Sequence, residues 1–153
     1  MKDMTFTLTD EQRALKAAVY DLSKQFPPEY WRELDAKREY PEAFVNALTK
    51  AGYLAALIPQ EYGGPGLGIL EGSLILEEIN HSGGNAAACH AQMYIMGTLL
   101  RHGSPEQKKR YLPKIATGDL RLQAFGVTEP NSGSDTTKLQ TTAVRKGDRY
   151  VVN

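Results

Sequence analysis

One cysteine, Cys89, is the only thiol in this 153-residue chain, so no disulfide can form within it. A lone thiol suits a reducing compartment. An excess of charge of one sign is missing too, since Lys plus Arg and Asp plus Glu both count 18. With no net field, electrostatics gives no attraction to nucleic acid or to an anionic membrane, and neither is expected as a partner. Long apolar runs are also lacking. The most apolar window, 86–100, carries His90, Gln92 and Thr98 and is too short to span a bilayer. The opening Met1-Lys2-Asp3-Met4 leads into a polar, amphipathic stretch without the apolar centre of a signal peptide, which makes the cytoplasm the expected compartment.

Several chemistries go unsupported in the same way. Among His81, Cys89, His90 and His102 no pair stands four residues apart, the spacing that puts two ligands on one helical face, so no metal is expected. No Gly-Lys-Ser/Thr occurs. The glycine-rich run at 63–68 lacks the third glycine of a dinucleotide fingerprint because position 71 is Glu, and it follows no clear strand. It reads as a structural turn. Nucleophilic catalysis has no specific support, and no residue of this chain is put forward as catalytic.

What is present first is helix. Thr9-Asp10-Glu11-Gln12 forms a capping box, and behind it Leu15, Ala18, Val19, Leu22 and Phe26 keep helical spacing until Pro27-Pro28. A short Trp31-containing stretch follows. Pro41 starts a helix carrying Phe44, Ala47, Leu48 and Ala51, with Gly52 as its stop. Glu71 to His81 is helical, with Leu74, Ile75 and Ile79 inward, and Ser82-Gly83-Gly84 breaks it. The run 85–103 is apolar on nearly every side, which predicts a helix buried at the centre of a bundle. Ser104-Pro105-Glu106-Gln107 is a second capping box, opening a helix to about Thr117 that Gly118-Asp119 closes.

After residue 120 the period changes from helical to alternating. Leu122 to Glu129 reads as a strand, and Thr141 to Asn153 as two strands broken by a Lys146-Gly147-Asp148 turn. The fold class expected is mainly α: an orthogonal or up-down helix bundle over 1–120, then the first strands of an incomplete β-barrel domain over 121–153. Three short strands cannot close a barrel, and a lone hairpin is marginal in water. The chain is therefore read as cut through its second domain.

Between the strands lies FGVTEPNSGSD, residues 125–135. Gly126, Gly133 and the small side chains of Asn131, Ser132 and Ser134 let backbone N–H groups approach a ligand, which favours an anion such as phosphate. Thr128 and Ser134 add hydroxyls. Met93, Met96, Gly97 and Leu100 share one face of the 85–103 helix, which can be core or the wall of an apolar ligand pocket.

This stretch closely resembles the signature of the acyl-CoA dehydrogenase family, an aromatic residue followed by x-V-T-E-P-x-x-G-S-D. IPQEYGGPGLG, ILEEI, HGSPEQKKRYLPKIATGD and AVRKGDRYVVN fall in that family's order and spacing, so the resemblance runs over residues 5–153. It implies that Phe125, Gly126, Val127, Thr128, Gly133 and Ser134 contact FAD. Thr128 would address the flavin's pyrimidine edge, and Ser134 would sit where phosphate and acyl-CoA meet, with Met93 and Met96 as further substrate contacts. It implies α,β-dehydrogenation of an acyl-CoA thioester, with electrons passing to electron-transfer flavoprotein or a similar acceptor, in a homo-oligomer. The catalytic base would come from a C-terminal helical domain, and Glu129 would belong to the turn. The alternative is a non-enzymatic truncated helical module that binds acyl-CoA or a dehydrogenase subunit.

Overall fold

The computed structural model describes residues 7–153; the Met1–Met4 stretch read above lies outside them, as do the first two residues of the family resemblance. Six α-helices are followed by a two-stranded antiparallel sheet. Helix α1 spans Asp10–Ser23, α2 Pro28–Lys37, α3 Glu42–Lys50, α4 Ile69–His81, α5 Ala87–His102 and α6 Pro105–Thr117, with β1 at Ala143–Lys146 and β2 at Arg149–Val152.

Both capping boxes form. Thr9 Oγ1 accepts from Gln12 N while Gln12 Oε1 accepts from Thr9 N, and Ser104 and Gln107 repeat the exchange at α6. Each satisfies two N–H groups that a helix start otherwise leaves open. Helix α1 runs alongside α4 in the same direction, because Gln12 bonds Glu71 at 2.8 Å and Lys16, one turn on, bonds Glu77 at 2.7 Å. The Trp31 stretch proves to be a full helix, α2, with Pro28 at its first position.

The core gathers Val19, Phe44, Leu48, Ile58, Ile75, Ile79, Met96 and Leu112, all without exposed surface. At one end Phe44 meets Phe26 and Trp31 edge-to-face at 5.1 and 4.9 Å, geometries that favour aromatic pairs beyond their area. The turn 58–68 is anchored to this core through Ile58, with Tyr62 and Leu67 packed against it. A Cβ on Gly64 would stand 2.2 Å from the Ile58 carbonyl oxygen, so only glycine fits, and Gly66 and Leu67 donate back to Ile58 and Ala56. At the end of α6, Gly118 takes a φ of +83° that ordinary residues avoid.

Two expectations need correction. Helix α5 is not buried all round: Cys89, Gln92, Met93 and Met96 face inward, while Ala87, His90 and Thr98 are exposed. Periodicity reports apolar residues, and burial also needs something packed opposite them. The run 122–129 forms no ladder, and its last residue makes only an isolated bridge, Glu129 to Ser132. A strand needs a neighbour to pair with, and among the described residues none stands beside it. Strands β1 and β2 do pair, from Ala143 opposite Val152 to Lys146 opposite Arg149, around Gly147-Asp148.

Candidate functional site

Leaving α6, the chain passes Leu120, whose N–H donates to Lys114 O at 3.0 Å, and crosses the face of the bundle toward the hairpin. Along this crossing the backbone groups of 124–128 make no hydrogen bond to any described residue. Five successive residues thus leave their backbone donors and acceptors without a partner among the described residues.

The loop beyond is closed by its acids. Glu129 bends back, its two carboxylate oxygens accepting from Gln140 N at 2.7 Å and Thr141 N at 2.9 Å. The Thr141 side chain first, then the backbone N–H groups of Gln140 and Thr141, hold its carboxyl below the ordinary value, with burial pulling weakly the other way. Ser132, almost fully buried, donates its hydroxyl to Asp135 O at 2.7 Å. Asp135 in turn caps the short 3-10 turn Thr136–Lys138 by accepting from Thr137 N. Its carboxyl is likewise lowered, chiefly by the Thr137 side chain and then by Lys138.

What this folding leaves open is a groove of about 410 Å³ lined by Gly126, Val127, Thr128, Glu129, Leu139 and Thr141. Of the residues singled out in the sequence, Gly126, Val127 and Thr128 line it together. The hydroxyls of Thr128 and Ser134 bond to no described residue, and both side chains are exposed. A Cβ placed on Gly126 or on Gly133 would meet no atom within 4 Å, and neither has a positive φ. Packing and backbone conformation therefore do not require glycine at either place.

Phe125 turns away, its ring edge-on to Tyr94 of α5 at 4.8 Å. Beside that contact a second cavity, about 490 Å³, is bounded by Tyr40, Asn85, Ala88, His90, Tyr94 and Gln123, among others. Met93 and Met96 line neither space; Met96 is fully buried and Met93 nearly so, and both pack the core. Cys89 is buried as well, which pushes its thiol up to about 12 and leaves it inert as a nucleophile. Among the described residues no group of three His, Cys, Asp or Glu side chains is placed to hold a metal ion, and no helix is long and apolar enough to cross a membrane.

Sequence reasoning missed Tyr40, Arg121 and Gln123, which tie the crossing segment to the bundle. Gln123 lies inside the stretch 122–129 read as a strand, but its partner Tyr40 and the Asn46 partner of Arg121 lie far off in sequence, so no local signal marks these ties.

Residues 9–119 match the family described as "Acyl-CoA dehydrogenase, N-terminal domain", and the chain belongs to the acyl-CoA dehydrogenase family. It is 36% identical over 153 residues to the acyl-CoA dehydrogenase FadE12 of Mycobacterium tuberculosis, covering 99% of this chain and 39% of that protein. To the cyclohex-1-ene-1-carbonyl-CoA dehydrogenase of Geobacter metallireducens it is 39% identical over 151 residues, 95% of this chain and 39% of that one. Its fold superposes on glutaryl-coenzyme A dehydrogenase with a TM-score of 0.85 at 30% identity, over 98% of this chain and 39% of the other. The chain thus spans about two fifths of the length of the relatives it matches. It corresponds to the N-terminal portion of such a protein.

Proposed function

We propose that this portion serves an FAD-dependent enzyme that removes hydrogens from the α and β carbons of an acyl-CoA thioester. In this reading residues 1–120 are the helical domain and 121–153 begin the β-domain. The observation that carries it is the open edge at 124–128, with free backbone groups, a free Thr128 hydroxyl and a glycine that the fold itself does not need. Such an edge fits the face of a planar, hydrogen-bonding ring. When bound, FAD supplies the two-electron acceptor for the oxidation.

The residues of this chain then have separable tasks. Backbone groups of Gly126 to Thr128 and the Thr128 hydroxyl are donors fixed in advance, which stabilise negative charge where it develops without reorganising. Gly133 and Ser134, exposed at the far end of the loop, suit the phosphate side and the acyl-CoA. Glu129 is not the base: both its oxygens already accept backbone N–H bonds, and its lowered pKa makes it a poor proton acceptor. We place the base outside residues 7–153. Electron-transfer flavoprotein or a similar carrier would reoxidise the enzyme, a cytoplasmic homo-oligomer.

The test is direct. Protein purified at its natural length should be yellow, and acyl-CoA thioesters should bleach its visible absorbance anaerobically. Gly126→Ala should leave folding intact and weaken flavin retention, since the added methyl meets only ligand. A colourless, well-folded protein would sink this reading and favour the binding module.

A further inference from the structure

The crossing segment has no ladder, yet it has a register. Three of its side chains tie it to the bundle by specific contacts. Arg121 donates to Asn46 of α3, and its guanidinium lies 3.7 Å from the Glu42 carboxylate. Gln123 is bonded at both ends: its Oε1 accepts from the Tyr40 hydroxyl at 2.9 Å, and its Nε2 donates to the Ala88 carbonyl of α5 at 3.2 Å. Phe125 packs on Tyr94. Past Gln123 the residues Ala124, Gly126 and Thr128 are exposed, and Phe125 keeps 59% of its surface exposed despite that contact.

We propose that Gln123 is a positioning residue for the cofactor: its carboxamide, held between Tyr40 and Ala88, sets where the free edge 124–128 stands. This rests on the FAD reading above. Two features single out Gln123. A slip of one residue in either direction would put Leu122 or Ala124 between Tyr40 and Ala88, and neither can make either bond. Close packing does not do the locating, because Tyr40 and Gln123 together border two open spaces, of about 490 and 440 Å³. With room on both sides, directional bonds decide the position.

The experiment uses the protein at its natural length. Gln123→Met keeps the side chain's bulk and removes both bonds, while Tyr40→Phe removes one. The readouts are the FAD dissociation constant by titration of the apoprotein, the visible circular dichroism of the bound flavin, and the apoprotein Tm. Gln123→Met should weaken FAD binding about tenfold, the size of one or two net hydrogen bonds, and alter the visible dichroism. Tyr40→Phe should move both in the same direction by about threefold in affinity, with Tm unchanged in each. Unaltered affinity and dichroism in Gln123→Met would overturn the assignment, and so would a lowered Tm with an intact flavin signal, which marks a structural role only. A wild-type protein that binds no FAD would overturn the cofactor reading itself, and this inference with it.

Discussion

The helix bundle and the hairpin contain the same kinds of apolar side chain and treat them in opposite ways. Phe44, Ile75 and Met96 expose nothing, whereas Val144, Tyr150 and Val152 expose 54%, 65% and 66% of their surfaces. Residue type does not make the difference; partners do. The helices bury their apolar faces against one another, and among the described residues the strands pair only with each other. Between the two runs the crossing segment, joined to the bundle through side chains while its own backbone stays free. That division places the unsatisfied groups, and so the capacity to bind, at the seam between a finished region and an unfinished one.

The largest effect should come from the finished side. Phe44→Ala removes the ring that Phe26 and Trp31 pack against and leaves a cavity in a fully buried place. It should cost about 3–5 kcal/mol, read as a lower midpoint in urea unfolding followed by helical circular dichroism. The matching truncation in the hairpin, Val151→Ala, should change stability by less than about 0.5 kcal/mol. A comparable loss at both positions would break the contrast, because it would mean that the hairpin is covered.

A middle-sized effect tests the joint between α1 and α4. Glu78 is 5% exposed and accepts from Lys16 at 3.3 Å and His81 at 3.0 Å. Burial is the largest single influence on its carboxyl and pushes the pKa up, but the bonds and charges of His81 and Lys16 together outweigh it and hold it below the ordinary value. A lowered folded pKa means that this contribution is present above the ordinary carboxylate range and is lost as pH falls through the lowered value. Lys16→Met leaves the carboxylate with one partner. Because Lys16 is partly solvated, the expected cost at neutral pH is about 1–2 kcal/mol, and Tm should rise less steeply between acid and neutral pH than in wild type. Parallel Tm–pH curves for the two proteins would show that the ion pair contributes nothing.

How far the sequence could be read follows from the range of each interaction. Both capping boxes were legible because Thr9 with Gln12, and Ser104 with Gln107, are complete within four residues. The turn at 58–68 was legible as a turn, though not the reason for Gly64, which lies in a contact with Ile58 that only the fold creates. The sidedness of α5 was only partly legible: the polar His90 and Thr98 marked an outward face, whereas Ala87 is apolar and is outward for want of a neighbour. The run from Leu122 to Glu129 reads as a strand, and the structure gives it neither a ladder nor a regular alternation of burial, because pairing needs a neighbour that no local pattern supplies. Of the site, the run Gly126 to Thr128 was visible as a motif. The ties through Arg121, Gln123 and Tyr40 span 75 and 83 residues and could not be seen in any local window.

The smallest effect on global stability, and the sharpest probe of the seam, is the titration of Glu129. Its bonds to Gln140 N and Thr141 N close the loop that borders the groove, yet they touch neither the core nor the hairpin ladder. Because its folded pKa is lowered, the carboxylate bonds are fully formed above the ordinary carboxylate range and come apart as pH falls through the lowered value. The amide NMR signals of Gln140 and Thr141 should therefore shift together only as pH falls below the ordinary carboxylate range, while helical circular dichroism stays flat. Glu129→Gln should move those two amides at neutral pH, abolish the acid shift and leave Tm unchanged. If instead the helices responded along with the loop, the seam would be part of the bundle's cooperative unit. The free edge at 124–128 would then be held by the whole fold and not by the few side chains that cross to it.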